Sequence, residues 1–169
     1  RVIMIANRNT LAALFEVAID LAASLSTEER FERLLAATLR VIPCGAAAIL
    51  KLEDGSLHPL AAIGLKREAM GRRFQVGNHP RFARIIDTEG ITRFDCDSEL
   101  PDPYDGVLVS VEGSLPVHAC MGARLMVQDQ IWGLITFDDL QPNAFESTSD
   151  DLVSAFSAFA AAAASAADY

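Results

Sequence analysis

Cysteine is scarce in this chain. Cys44, Cys96 and Cys120 are its only thiols, odd in number, widely spaced and in no CxxC pair. That excludes a disulfide framework and suits a reducing compartment, so a cytoplasmic location is expected. Basic residues are also few, with 14 Lys and Arg against 23 Asp and Glu and a formal charge of -9. A phosphate backbone demands a basic face, so direct contact with nucleic acid is not expected. No apolar run approaches the length of a membrane span, and Val2 to Ala6 is too short for a signal-peptide core. There is no GxxxxGK[ST] loop and no basic helix to read DNA, so any ATPase or promoter-binding activity must lie in other parts of a parent protein.

What the chain does have is 169 residues, 51% of them hydrophobic, enough to build one domain around its own core. The start at Arg1 and the end at Tyr169 inside an alanine-rich run suggest a piece of a longer protein. Thr10 is expected to cap a first helix whose apolar side is Leu11, Leu14, Phe15, Ala18, Leu21 and Leu25. Ser26 with Glu29 spells a capping box for a second helix, with Phe31, Leu34, Leu35, Leu39 and Ile42 as its stripe and Pro43 as its stop. A strand from about Ala46 to Leu52, an Asp54-Gly55 turn and a strand from Leu57 to Ile63 make a hairpin. A mixed segment follows, with a short helix after Pro80 and a short strand at Ile91 to Phe94.

The last hairpin is the most legible. From His118 to Val127, alternation sets His118, Cys120, Gly122, Arg124 and Met126 on one face and Ala119, Met121, Ala123, Leu125 and Val127 on the other. One face carries chemistry and the other reads as core. A turn at Gln128 to Gln130 leads to a strand from Ile131 to Phe137 that delivers Asp138, and a final helix is expected to be capped by Thr148 with Asp151, its stripe Leu152, Phe156 and Phe159. The small residues of this last helix would let a partner helix approach closely, so it and the first helix are expected to pair in a homodimer. The order helix, helix, hairpin, excursion, hairpin, helix gives an α+β domain, an antiparallel sheet with helices packed on its faces.

Between the short strand and the last hairpin runs DSELPDPYDGVLVSVEGSLPVHAC, from Asp97 to Cys120, answered later by Asp138 and Asp139. Carboxylates, a thiolate and an imidazole in one region supply hard, soft and intermediate donors to a transition metal. An oxygen-rich set with a single thiolate suits ferrous iron better than structural zinc, which collects several Cys or His ligands. Each residue also has a plain reading. Cys120 on a strand can be a small hydrophobe, Asp102 and Asp105 can be turn formers, and His118 can be a hydrogen-bonding histidine, kept here as a candidate ligand. Asp95, Asp97 and Glu99 read as a solvated face, Asp139 as a strand-ending turn, Cys44 and Trp132 as core, and Cys96 as exposed.

The runs GRRF, HPR, DSELPDPYDG, HAC and ITFDD followed by QP resemble the GAF-type sensor domain of the NorR family of nitric-oxide-responsive activators. The resemblance covers nearly the whole chain, residues 1-169 forming a single GAF sensor domain at the N-terminal end of a longer regulator. It implies a non-enzymatic domain that binds nitric oxide at a mononuclear non-haem iron, Fe(II), and restrains an attached AAA+ domain. Carried over by motif, the proposed iron-site residues are Arg81, Asp102, Asp105, Cys120 and Asp138. A guanidinium has no lone pair to give, so Arg81, carried over as a member of the site or a ligand, is expected beside the ligands, pairing with an aspartate or with the thiolate. Asp139 and Cys96 depart from the family pattern. Two other readings stand beside this one: a GAF domain that binds an organic small molecule, and a thiol-based methionine sulfoxide reductase, which would need Cys96 within disulfide reach of Cys120 or Cys44.

Overall fold

The computed structural model describes residues 2-109, 117 and 119-167. Helix α1 (Val2-Ala22) is followed by α2 (Thr27-Val41), whose start is the capping box expected from Ser26 and Glu29. The Glu29 amide donates to Ser26 Oγ at 3.2 Å and the Ser26 amide to Glu29 Oε2 at 2.9 Å, so two amides with no partner inside the helix are satisfied. Pro43 ends the helix by forcing Ile42 out of the helical region.

Strands β1 (Ala46-Glu53) and β2 (Ser56-Ile63) form the first hairpin. Asp54 and Gly55 both take positive φ, 51° and 76°, as a two-residue turn matched to the strand twist requires. A short α3 (Arg67-Met70), a two-residue β3 (Phe74-Gln75) and α4 (Pro80-Asp87), with proline at its first position, lead to β4 (Ile91-Phe94). The second hairpin is β5 (Ala119-Val127) and β6 (Gln130-Asp139), and α5 (Asp150-Ala167) closes the described chain. The six strands lie in the order β3-β2-β1-β6-β5-β4, every neighbouring pair antiparallel, which is the α+β architecture expected.

The period-2 alternation sorts the strands onto two buried faces. Ala47 and Ile49 of β1, Met121, Ala123 and Leu125 of β5, and Ile135 and Phe137 of β6 meet Phe31, Leu34 and Leu35 of α2 and Val153, Phe156 and Ala160 of α5. The opposite face carries Ala46, Ala48, Leu50, Leu134 and Cys120, covered by Phe82 and Ile85 of α4 with Phe74, Tyr104 and Leu108. The face of β5 read as chemical is therefore as well packed as the other. At Gly122 an added Cβ would lie 2.7 Å from Ile85 Cδ1, so α4 rests directly on the sheet there.

Two expectations are corrected. Thr10 lies inside α1 rather than at its start, and among the described side chains of that helix Ala13 and Val17 are buried, while Leu11 and Phe15 are exposed. The cause is position: α1 packs outside α2 along a narrow seam of small residues, flanked by the ion pairs Arg33-Asp20 (3.1 Å) and Arg40-Glu16. The cap of α5 is Ser149, whose Oγ accepts the Leu152 amide at 3.2 Å, whereas the Thr148 amide closes the preceding turn onto Phe145 O at 3.1 Å. Val153, Phe156, Ser157, Ala160, Ala163 and Ala164 form the buried side of α5, with Leu152 and Phe159 only partly covered. The alanines thus bring α5 close to its own sheet and to α2.

Strand β6 crosses β1 so closely that a Cβ on Gly133 would sit 2.0 Å from Leu50 O, a backbone atom that cannot step aside alone. Gly133→Ala is expected to lower stability by about 1-3 kcal/mol or more in urea denaturation. Gly77→Ala, with nothing within 4 Å of its new Cβ, is expected to stay within about 0.5 kcal/mol of the parent.

Candidate metal centre

Strand register assembles the site. Phe94 pairs with Cys120, Cys120 with Asp138, and Asp138 with Ala46, so one rung across four strands sets the thiol and a carboxylate side by side on the α4 face. The loop after β4 lowers Asp102 onto this rung. One ligand atom from each of Asp102, Cys120 and Asp138 lies within 4.8 Å of the other two, and all three residues are buried.

Asp102 is held from two directions. Arg81 Nη1 donates to its Oδ2 at 3.0 Å, and the Tyr104 amide donates to its Oδ1 at 2.8 Å, an Asp-centred turn that explains why Asp precedes Pro-Tyr here. Each carboxylate oxygen retains a further lone pair. Arg81, in the first turn of α4, also donates from Nε to Leu100 O at 2.8 Å and lays its guanidinium over the Phe94 ring, 5.0 Å from the centroid. It thus stands beside the acidic cluster as its counter-charge.

Asp138 is the unusual member. It is 1% exposed, and neither carboxylate oxygen has a hydrogen-bond partner. Asp102 and Cys120 stand near enough to perturb it but at no proper hydrogen-bond geometry. Burial first, and the Asp102 charge second, push its pKa well above the ordinary carboxylate range. The Cys120 thiol is pushed up by burial and then by Asp138 and Asp102, with Arg81 opposing. For both groups burial thus favours the protonated, neutral form.

Asp105 does not join the cluster. Its Oδ1 accepts the Val117 amide at 2.7 Å and its Oδ2 the Asp102 amide at 3.2 Å, so among the expected ligands it stands apart from the three-residue cluster. The turn closed by the Asp105 amide on Asp102 O at 3.2 Å is the reason: it sends the two carboxylates to different sides of the loop, one to the sheet and one to the segment entering β5. His118 lies outside the described residues. Asp139 is a turn former as read, its Oδ2 accepting the Gly45 amide at 2.7 Å and its Oδ1 the Gln141 amide at 2.8 Å.

Sequence reasoning passed over Tyr104 and Thr136. Both are buried, with Tyr104 Oη 3.2 Å from Thr136 Oγ1. The signals were present: Tyr104 lies inside PDPYD, and Thr136 is two residues before Asp138 and hence on its face. The rings of Phe74, Phe82 and Tyr104 stand edge to face at 5.4-5.9 Å and fill the space beside the cluster. A cavity of about 360 Å³ opens at the sheet edge, with Phe94, Cys96, Cys120, Asn143 and Glu146 in its wall.

The three thiols are all free and differ in environment. Cys96 is exposed, Cys120 buried, and Cys44 half-buried, its Sγ donating a hydrogen bond to Ala46 O at 3.3 Å and its pKa pushed up to about 12, chiefly by burial. A maleimide at neutral pH is therefore expected to label one cysteine in the folded protein, Cys96, and all three only after unfolding. Rapid native labelling of Cys120, read by peptide mass spectrometry, would contradict the burial of the cluster.

Comparison with known proteins places these features in context. The model of the GAF domain family matches residues 26-166. The chain is 41% identical over 153 residues to the regulatory protein LuxO of Vibrio cholerae, covering 90% of this chain and 29% of that protein. It is 40% identical over 154 residues to the anaerobic nitric oxide reductase transcription regulator NorR of Serratia proteamaculans, covering 91% and 30%. The chain thus spans less than a third of the length of these relatives. Among solved structures, the GAF domain of a phosphoenolpyruvate-protein phosphotransferase from Coxiella burnetii superposes with a TM-score of 0.76 at 17% identity over 95% of each chain. A free methionine-R-sulfoxide reductase from Neisseria meningitidis gives 0.72 at 12% identity over 94% of this chain and 90% of that one. At such identities these structures speak for the fold alone.

Proposed function

The chain belongs to the GAF domain family, and we propose that it is the nitric-oxide-sensing domain of a transcription regulator, with one ferrous iron held by Asp102, Cys120 and Asp138. The observation that carries this reading is Asp138, a buried carboxylate with no hydrogen-bond partner beside a thiol and a second carboxylate. Isolated buried carboxylates cost several kcal/mol, by order of magnitude, unless something compensates them. The donor set fits the metal: two carboxylates and a thiolate bring three negative charges, Arg81 brings one positive, and a divalent cation closes the balance. Bound ferrous iron with three protein donors keeps positions open for a diatomic gas.

The chain's own residues do the rest. Arg81 and the Tyr104 amide orient Asp102, β5 and β6 hold Cys120 and Asp138 in fixed register, and the packed aromatic rings keep bulk water away. The domain is non-enzymatic and cytoplasmic in this reading, and it acts on an AAA+ module of the same parent protein. Similarity to the NorR regulators over nearly the whole chain supports that assignment. Among the described residues no helix is long and apolar enough to cross a membrane.

Reconstitution with ferrous iron without oxygen, followed by electron paramagnetic resonance before and after nitric oxide, tests the proposal. A stoichiometric high-spin signal appearing only with the gas is expected, and Asp138→Ala is expected to reduce iron retention roughly tenfold or more while circular dichroism stays unchanged. Wild-type protein that retains no iron, yet binds an organic ligand saturably, would transfer the site to the small-molecule reading. Turnover of methionine sulfoxide with thiols would transfer it to the reductase.

The same reading includes a homodimer through the terminal helices. Leu11, Phe15 and Ile19 of α1 are 51%, 65% and 67% exposed and recur every four residues, an apolar stripe facing away from α2. Phe15→Glu is expected to turn a dimer into a monomer in sedimentation velocity. Identical sedimentation of both proteins would exclude this stripe as the interface.

A further inference from the structure

Tyr104 touches both halves of the candidate centre. Its backbone amide donates to Asp102 Oδ1 at 2.8 Å, and its side-chain hydroxyl lies 3.2 Å from Thr136 Oγ1, so one residue spans from the loop carboxylate to the strand that carries the other carboxylate. Thr136 is itself 1% exposed and lies on the Asp138 side of β6. The Tyr104 ring is locked between Phe74, at 5.9 Å and 88°, and Phe82, at 5.8 Å and 71°, which leaves its hydroxyl little freedom. Two hydroxyls sealed from water in this way have few other partners, so their mutual bond has a strong geometric preference.

Resting on the metal-centre reading above, we propose that Tyr104, through its hydroxyl bond to Thr136, is a positioning residue that sets the spacing of Asp102 and Asp138 and so the affinity for a divalent metal. The tie acts on geometry and not on charge. Asp102 sits on a loop, Asp138 on a central strand, and their separation must match the reach of one cation. Arg81 fixes the far side of Asp102 to α4, and the Tyr104-Thr136 bond fixes the near side to β6.

The test uses Co(II) as the probe, its thiolate charge-transfer absorption reporting occupancy in competition with a chelator. Tyr104→Phe keeps the ring and the amide and removes only the hydroxyl. It is expected to weaken Co(II) binding roughly tenfold, the usual effect of losing a partner behind the ligands. Thr136→Val should give a similar loss, the double variant should be no worse than either single one, and Thr136→Ser, which keeps the hydroxyl, should bind as the wild type does. The urea midpoint of the metal-free protein should move little, which separates positioning from plain stabilisation. Wild-type affinity in Tyr104→Phe and Thr136→Val, or losses that add as independent effects, would overturn the proposal. A wild-type protein that takes up no Co(II) and no Fe(II) would instead remove the centre itself, and this inference with it. If Tyr104→Phe failed to fold, the contrast between Thr136→Ser and Thr136→Val would still decide.

Discussion

The buried pairing of Arg81 with Asp102 holds together the half of the molecule that bears the site. Taking a guanidinium and a carboxylate out of water is costly, and removing either partner would strand the other, at a cost of about 3-5 kcal/mol. Here the pair, at 3.0 Å, is supplemented on every side: Leu100 O accepts from the guanidinium, the Phe94 ring lies under it, and the Tyr104 amide donates to the other carboxylate oxygen. Those contacts join α4, the loop from 95 to 109 and β4 into one unit. A chain without this pair would have little reason to fold that loop over the sheet, since the loop contributes few apolar residues beyond Leu100, Tyr104, Val107 and Leu108.

The two faces of the sheet answer different demands. Toward α2 and α5, aliphatic and aromatic side chains fill the interior and the energetics are those of any apolar core. Toward α4 the same strands meet three acidic groups, an arginine and a cluster of aromatic rings. Conventional packing on the first face gives the second a rigid floor, because Cys120 and Asp138 lie on strands whose opposite sides are fixed by Met121 and Phe137. A site built on paired strands keeps its geometry better than one built on loops. Asp102, the member supplied by a loop, is also the one with the most hydrogen bonds.

Membership of the GAF family describes the frame and leaves the chemistry to particular side chains. Regulators and enzymes share this fold among the proteins that resemble the chain. In the present domain the particular side chains are two carboxylates and one thiol with an arginine beside them, in a space where the neighbouring volume is taken up by Phe74, Phe82 and Tyr104.

Much of this was legible in the residues in order. The capping box at Ser26, the Asp54-Gly55 turn, the strand at Ile91 to Phe94 and the facing of Cys120 follow from local rules, since a cap, a turn and an alternation involve only neighbours in sequence. The buried side of α1 did not follow, because both of its sides carry apolar residues and only its place outside α2 selects Ala13 and Val17. Asp102 and Asp105 likewise look equivalent in PDPYD, yet a single turn directs one to the buried cluster with Cys120 and Asp138 and the other to the Val117 amide. The sequence by itself determined the element types, the α+β class and the identity of the available donors, because these depend on local backbone preference and on side-chain chemistry. Only the tertiary structure decided which donors meet, that Asp138 is left without a hydrogen bond and that Tyr104 reaches Thr136, because those facts depend on strand register and on contacts between residues far apart in the chain.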